Sequence, residues 1–402
     1  MIDKPIDAIT KEDIDALAAA GTRERRTLDY KQELPGGSDE QRKEFVRDAS
    51  SFANTAGGDI LYGVEDIRDA NGKPTGTPRL VGLSNFNEDV EKLRLDQMIR
   101  TGIAPRLPAV ELRAIEGFPA GPILVMRVRR SWLSLHMVTL LGDDRFYARS
   151  NAGRYRMDVR QVQEGFGLAD TLPQRVRSFR AERVARIVNG EAPVQLAKGP
   201  RTVLHLIPAS ALTAASSIEV SALRRFLGVL HPISGLGVSE RYNLDGYITY
   251  SHSEGSDQDC AGYVLLMRNG IIEAVDTGPY TQTEKERLIR SHQFDEELFP
   301  AFDAYRKVQL ELGLSDPTFV LLTLVGVEGY RMAVSDMVKF AQSRLYLIDR
   351  DVLVLPDILI ESPANAASTP ALLRPALDAL WQASGYARSE NYGEDGTWRL
   401  HK

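Results

Sequence analysis

The sequence predicts a mixed α/β protein built from two domains, and three observations carry that prediction. The chain of 402 residues exceeds the size at which a single hydrophobic core keeps growing. Through residue 168 the apolar positions switch between strand and helix spacing in the order strand, helix, strand, helix, strands, which describes one α/β unit. Past residue 200, strand-rich runs begin again around a long helical stretch. Apolar and charged contents of 43% and 26% are ordinary for a folded chain, so disorder is not expected overall.

Residues 1–20 read as a short acidic helix or arm with Ile14, Leu17 and Ala18 on one face. "LDYKQEL" at 28–34 alternates around Leu28, Tyr30 and Gln32 as a strand does, and "PGGS" ends it. In "DEQRKEFVRDASSFAN", Phe45, Val46, Ala49 and Phe52 fall at helical spacing, and Ser38 or Asp39 can cap the helix. The helix is expected to end at 51–54. Gly57 and Gly58 then make a turn into a strand over 59–64, so that Glu65 and Asp66 stand where that strand leaves its sheet. "IRDANGKPTGTP" reads as a loop. "NEDVEKLRLDQMIRTGI" reads as a helix with Val90, Leu93, Leu95 and Met98 inward, and "PILVMRVRRS" and "DRFYARS" as strands.

In the second half, "RTVLHLIP", "LDGYITYS", "AGYVLLMRNGIIEAVD" and "TFVLLTLVGV" are β-rich runs, with Asn269-Gly270 as a tight hairpin. The helical stretch 283–313 contains Pro300, which should break or kink it. "SPANAASTP" is a low-complexity linker, and "RPALDALWQASGYA" is helical before a short excursion from Tyr392 to Trp398.

Composition narrows the chemistry. One cysteine, Cys260, excludes an internal disulfide framework and any zinc site of several thiolates, which fits a reducing cytoplasm. The N-terminus has no signal-peptide core, and no run approaches the ~20 apolar residues that span a bilayer. The formal charge is -6, yet the segment from Arg127 to Arg160 holds eight arginines against three acids. "PQRVRSFRAERVARIV" adds five more arginines. Arg127, Arg129, Arg130, Arg145, Arg149, Arg154 and Arg156 therefore form a candidate phosphate track, because a guanidinium fork donates two hydrogen bonds at once. The other reading of such a run is a solvated face paired with acids elsewhere.

GxxxxGK[ST], HExxH and GxSxG motifs do not occur, and "SGLGVSER" lacks the third glycine of a dinucleotide loop. His136, His205, His231, His252, His292 and His401 are scattered without ligand spacing and read as core or surface histidines; Cys260 reads as an inert buried thiol. What remains is a constellation of carboxylates. Glu24 and Asp29 lie before and within the first strand, and Glu65 and Asp66 end the next. On neighbouring strands they would converge on one rim, where hard oxygen ligands suit Mg or Mn. Lys31, on the same strand face as Asp29, could neutralise a phosphate oxygen. The other reading pairs these acids with Arg23, Arg25 and Arg26 at the surface.

"ERRTLDYK" at 24–31, "FVRDASSFANTAGGDILYGVED" at 45–66, "IAPRL" at 103–107 and "RFYARSNAGRYRM" at 145–157 together resemble, in order and spacing, the Schlafen AlbA-type domain family over about residues 14–165. The resemblance implies a mixed α/β domain that binds nucleic acid, RNA or DNA. In the Schlafen branch it implies a Mg- or Mn-dependent site of three carboxylates that cuts tRNA-like or other structured RNA. Glu24 and Asp29 match the first two acids, and Glu65 or Asp66 the third. Asp29 is one methylene shorter than the family's usual glutamate. The expected organisation is an arm over 1–13, this domain over 14–168, a basic helix and linker over 169–200, a second α/β domain over 201–361, and a linker and helix over 362–402. For the second domain, composition allows a sensor, homo-oligomer or partner-binding role. Two functions follow: a metal-dependent endoribonuclease, or a non-catalytic DNA-binding regulator whose second domain senses a ligand or binds a partner.

Overall fold

The computed structural model describes every residue except 1, 3, 69–73, 108–109, 133, 214–217, 236, 254, 256–257, 285, 315, 335–345, 362–366 and 400–402. Much of the linker expected at 362–370, part of the loop at 67–78, and His401 lie outside the described residues. The fold is mixed α/β in two compact units, Met1–Leu172 and Pro173–Lys402. No described helix is long and apolar enough to cross a membrane.

The first unit contains helices α1 (Lys11–Ala19), α2 (Asp39–Ala53) and α3 (Glu88–Gly102). Its strands are β1 (Leu28–Lys31), β2 (Gly58–Tyr62), β3 (Val64–Arg68), β4 (Pro74–Leu80), β5 (Ile103–Ala104), β6 (Val110–Phe118), β7 (Gly121–Val128), β8 (Met137–Val138), β9 (Arg145–Ser150) and β10 (Gly153–Arg156). One sheet runs β1-β2-β7-β6, a second runs β10-β9-β8-β5, and β3 pairs with β4. In the first sheet β1 lies parallel to β2, and β2 antiparallel to β7.

Strand alternation divides the first sheet's side chains between two cores. Ile60, Tyr62, Leu124, Met126 and Val128 pack with Phe45, Ala49 and Phe52 of α2 and with Leu95, Met98 and Ile99 of α3. Leu28, Leu61, Ile123 and Val125 pack on the other side with Ile9 and Ile14. The stripe of α3 differs from the one expected: Val90 and Leu93 are 58% and 70% exposed. At about 100° per residue they fall off the face that Leu95, Met98 and Ile99 define. The loop expected at 67–78 instead yields β4, because pairing with β3 outweighs its local Gly and Pro content, and prolines are tolerated in such a two-stranded edge.

Helix α4 (Val159–Val188) begins well before Pro173, despite Gly165 and Gly167. The second unit then carries β11 (Arg201–Pro208), β12 (Ser239–Tyr242), β13 (Gly246–His252), β14 (Cys260–Met267), β15 (Ile272–Asp276), β16 (Tyr280–Gln282), β17 (Arg287–Ile289), α5 (Ser291–Glu311), β18 (Thr318–Val325), β19 (Arg331–Met332), β20 (Val352–Val354), β21 (Ile358–Ile360) and α6 (Thr369–Ala383). Its main sheet runs β12-β13-β14-β15-β11-β18-β20, with β21 also on β18. The β14–β15 hairpin turns at Asn269-Gly270, where Gly270 has φ +86°. Helix α5 runs through Pro300 as one element. Burial of Phe294, Leu298, Phe302 and Tyr305 against the sheet outweighs a local proline cost of roughly 3 kcal/mol.

One buried ion pair closes the first sheet. Asp59 and Arg127 are register partners on β2 and β7, and Arg127 Nε donates to Asp59 Oδ1 at 2.7 Å. The same guanidinium donates to the carbonyls of Lys4 and Ile2, tying the N-terminal segment to the sheet. Arg127→Ala strands the Asp59 carboxylate in the interior, so urea unfolding of the variant should show a loss of about 3–5 kcal/mol. A loss under about 1 kcal/mol would mean that the pair is dispensable.

Candidate functional site

On β1 the alternation sends Leu28 toward α1 and Asp29 and Lys31 toward α2. There they meet two acids spaced by one helical turn, Glu44 and Asp48. Lys31 Nζ lies 3.2 Å from Glu44, 3.3 Å from Asp48 and 3.6 Å from Asp29. Arg149 completes the cluster from β9, at 2.7 Å from Asp29 Oδ1 and 3.8 Å from Asp48, with its guanidinium 4.4 Å from the centre of the Phe52 ring. Its register partner on β10, Arg154, donates to Asp48 Oδ1 at 2.7 Å and to the Glu44 carbonyl at 3.0 Å. Asp29 is 4% exposed, and Asp48 and Arg149 are also buried.

The block "FANTAGG" holds β9 in this position. Asn54 Nδ2 donates to the carbonyls of His136 and Tyr147, and Asn54 Oδ1 accepts from the His136 N–H. Thr55 Oγ1 accepts from the Arg149 N–H at 3.0 Å. Gly57 has φ +67°, and a Cβ on Gly58 would lie 2.4 Å from the Phe52 ring and 2.6 Å from the Thr27 carbonyl. The two glycines thus permit both the turn and the close approach of β2 to α2 and β1.

The electrostatics of the cluster follow from burial and partners. Burial opposes ionisation of Asp29, but the charges of Lys31 and Arg149 outweigh it and hold the carboxyl below its ordinary value. For Asp48 burial wins over Lys31 and Arg154, and the group is raised. Glu24 accepts from the Tyr30 N–H at 2.9 Å and interacts directly with Asp29. Desolvation, followed by the hydrogen bond and charge of Asp29, pushes it up to about 7.

Of the expected metal ligands, the structure brings Glu24 and Asp29 together and places the other two apart from Asp29. Glu65 accepts from Gln32 Nε2 at 2.7 Å and pairs with Arg79. Asp66 is exposed on β3 opposite Pro78. Glu65 and Asp66 share with Glu24, Arg23, Arg79 and Asn151 a cleft of about 760 Å³ that Asp29 does not line. Among the described residues no three carboxylate, imidazole or thiol groups come together to hold a metal ion. The positive charge beside Asp29 is already supplied by Arg149 and Lys31, so the donor set does not fit the expected Mg or Mn. Lys31 is pinned among three acids and not held out toward a phosphate.

The arginine track also needs correction. Arg127 is spent on Asp59, Arg129 on Glu111 at 3.0 Å, and Arg149 and Arg154 on the charge cluster. Arg130 lies over the Trp132 ring, 3.7 Å from its centre. Arg145 and Arg156 are exposed and enter no ion pair among the described residues. Sequence reasoning missed Asp48 and Glu44. The available signal was an acid inside the otherwise buried run "FVRDASSFA", four residues from both Glu44 and Phe52.

A mixed α/β domain with a polar cleft and an arginine-bearing hairpin is the class that this geometry defines. Residues 24–158 match the family model described as Schlafen, AlbA_2. Among solved structures, the chain is similar to the N-terminal domain of an ATP-dependent DNA helicase RecG-related protein from Nitrosomonas europaea. Identity is 21% over 29% of this chain and 71% of that one, with a TM-score of 0.23. No curated protein matches the chain.

The raised pKa of Glu24 has a measurable consequence. A folded-state value of about 7 against an ordinary 4.5 means that the native state holds an extra proton between those limits. Its stabilising effect is full below the lower value and is lost as pH rises toward the upper one. Glu24→Gln keeps the acceptor for Tyr30 and removes the titration. Thermal melts at about pH 5 and about pH 8 should therefore show the variant gaining on the parent at the higher pH. A constant difference across that range would contradict the shift.

Proposed function

We propose that the first unit binds nucleic acid without cutting it, through exposed arginines that border the β9–β10 hairpin. One observation carries this reading. Arg23, Arg25, Arg26, Arg145 and Arg156 are exposed, and none enters an ion pair among the described residues. The loop that bears the first three is fastened to the hairpin turn by the Arg26 N–H, which donates to Asn151 Oδ1 at 3.1 Å. Unneutralised guanidinium groups on a fixed backbone suit phosphate, whose contacts position a protein without reading sequence. The match to a Schlafen AlbA_2 model, a family associated with nucleic-acid binding, supports the same reading. The engagement of Asp29 by Arg149 and Lys31, and of Glu65 by Arg79, favours binding over metal-dependent hydrolysis.

Anisotropy titrations with labelled single-stranded RNA, single-stranded DNA and duplex DNA should show affinity falling steeply between low and physiological salt, since each neutralised phosphate releases counterions. The double variant Arg25→Gln, Arg26→Gln should flatten the salt slope by about one unit per lost contact. Salt-independent affinity, or a slope the variant leaves unchanged, would remove these arginines from the interface.

The chemistry is tested separately by incubating the full chain with total RNA and plasmid, with and without Mn. The expected outcome is retention without cleavage. Mn-dependent cleavage by the parent that disappears in a folded Asp29→Asn variant would restore the nuclease reading.

A further inference from the structure

The second unit contains a cavity of about 480 Å³ bounded by the segment after α4 and the ends of β11, β12, β13 and β14. The side chains around it are of one electrical kind. Arg201, Arg241 and His252 line it together with Tyr250, Gln195 and Cys260, and no aspartate or glutamate is among its described lining residues. Among the described residues three acids adjoin lining residues in sequence, and none is in the lining: Glu191 is exposed, Glu240 pairs with Arg224 at 2.7 Å, and Asp259 accepts from Gln195 Nε2 at 2.7 Å.

Both arginines are braced by backbone carbonyls, Arg201 by the last turn of α4 and Arg241 by the segment that follows it. Arg201 donates from one terminal nitrogen to the Ile187 carbonyl at 2.8 Å, and Arg241 donates to the Pro193 carbonyl. Neither enters an ion pair among the described residues, and the Arg201 Nε is enclosed with no hydrogen-bond partner. That segment is itself fixed to β14: the Cys260 N–H donates to the Gln195 carbonyl, and the Ala197 N–H to the Cys260 carbonyl. Tyr250 and His252 stand edge to face on β13, with ring centres 5.6 Å apart.

Two guanidinium groups held beside one cavity with no carboxylate to neutralise them raise the local potential and leave donors unsatisfied. An anion relieves both, and the planar fork of a guanidinium suits the oxygens of a phosphate or carboxylate. The volume lies in the range of small-molecule sites, and the two aromatic side chains offer an apolar edge with a hydroxyl and an imidazole for orientation. We propose that this cavity is a binding site for a small phosphate- or carboxylate-bearing molecule, with Arg201 and Arg241 as the anion clamp. The second unit is then a ligand-binding module, independent of whether the first unit binds nucleic acid.

Isothermal titration of the full chain with inorganic phosphate, pyrophosphate and citrate, at constant ionic strength set by chloride, tests the site. The first two probe phosphate, and citrate probes carboxylate. Saturable binding of at least one is expected, with a matching rise in melting temperature that chloride does not give. Arg241 and His252 are exposed, so Arg241→Gln and His252→Gln should fold, and far-UV circular dichroism checks that they do. Arg241→Gln should weaken binding by about tenfold or more, the loss expected for a charged hydrogen bond. The variant Arg25→Gln, Arg26→Gln should bind as the parent does. Three outcomes would overturn the proposal: no saturable binding of any of the three anions, equal affinity in the parent and in both cavity variants, or a loss confined to the Arg25, Arg26 variant.

Discussion

The first unit depends on a charge cluster that α2, β1, β9 and β10 complete only together. Asp29, Glu44 and Asp48 supply acids from two elements, and Lys31, Arg149 and Arg154 supply cations from three. Removing any buried charge from such a set leaves its partner in low dielectric, which costs far more than a surface pair. The cluster therefore behaves as a constraint on geometry. It sets how α2 lies on the first sheet, and it ties the second sheet to the first through Arg149. The hydrogen bonds of Asn54 and Thr55 hold the same joint from the backbone side.

This arrangement explains which parts of the molecule were legible in the sequence. Helix α2, strands β1 and β2 and the glycine turn follow from local spacing, since Phe45, Ala49 and Phe52 mark one helical face and Gly57 must take a positive φ. Strand β11 and the β14–β15 hairpin were equally plain, because a β-branched run and Asn-Gly need no tertiary help. Strand β4 was not, since its pairing with β3 is a tertiary fact that Gly and Pro content conceals. Glu24 and Asp29 were placed correctly, before and on β1, but Glu65 and Asp66 lie within β3, a separate strand past Gly63, and not at the end of β2. Register makes Asp29 a neighbour of Ile60 and so of the α2 face, and nothing in a linear reading counts Arg149 as its partner. Charge density alone marked seven arginines as a track. It cannot distinguish Arg127, buried on Asp59, from Arg156, exposed on the hairpin.

The second unit repeats the device with different residues. Glu273, the second residue of β15, accepts from Arg183 at 2.6 and 2.7 Å, from Tyr263 at 2.8 Å, and contacts His205 Nε2 at 3.0 Å. Burial alone would raise this carboxyl, yet the hydrogen bonds of Arg183 and His205 hold it down at about 2. The linear reading saw His205 as a core histidine, which it is, but Glu273 went unremarked inside an apolar strand. In both units a buried acid fixes an arginine from another element, and the strength of the joint depends on every donor being present.

The same logic bears on the choice between binding and hydrolysis in the first unit. A divalent cation at Asp29 would have to approach Oδ2, which faces Lys31 Nζ at 3.6 Å, while Oδ1 is held by Arg149. Bringing a second positive charge of that size into the space displaces the lysine or the arginine, and either move strands Asp48 without one of its cations. The third acid could not compensate, because Glu65 would first give up Arg79 and Gln32. Loading a metal there thus requires displacing one cation of the cluster and both partners of Glu65. Binding a phosphate backbone at Arg23, Arg25, Arg26, Arg145 and Arg156 requires breaking no ion pair among the described residues. The asymmetry between those two costs is the physical ground for proposing phosphate binding at the exposed arginines ahead of metal loading at the carboxylate cluster.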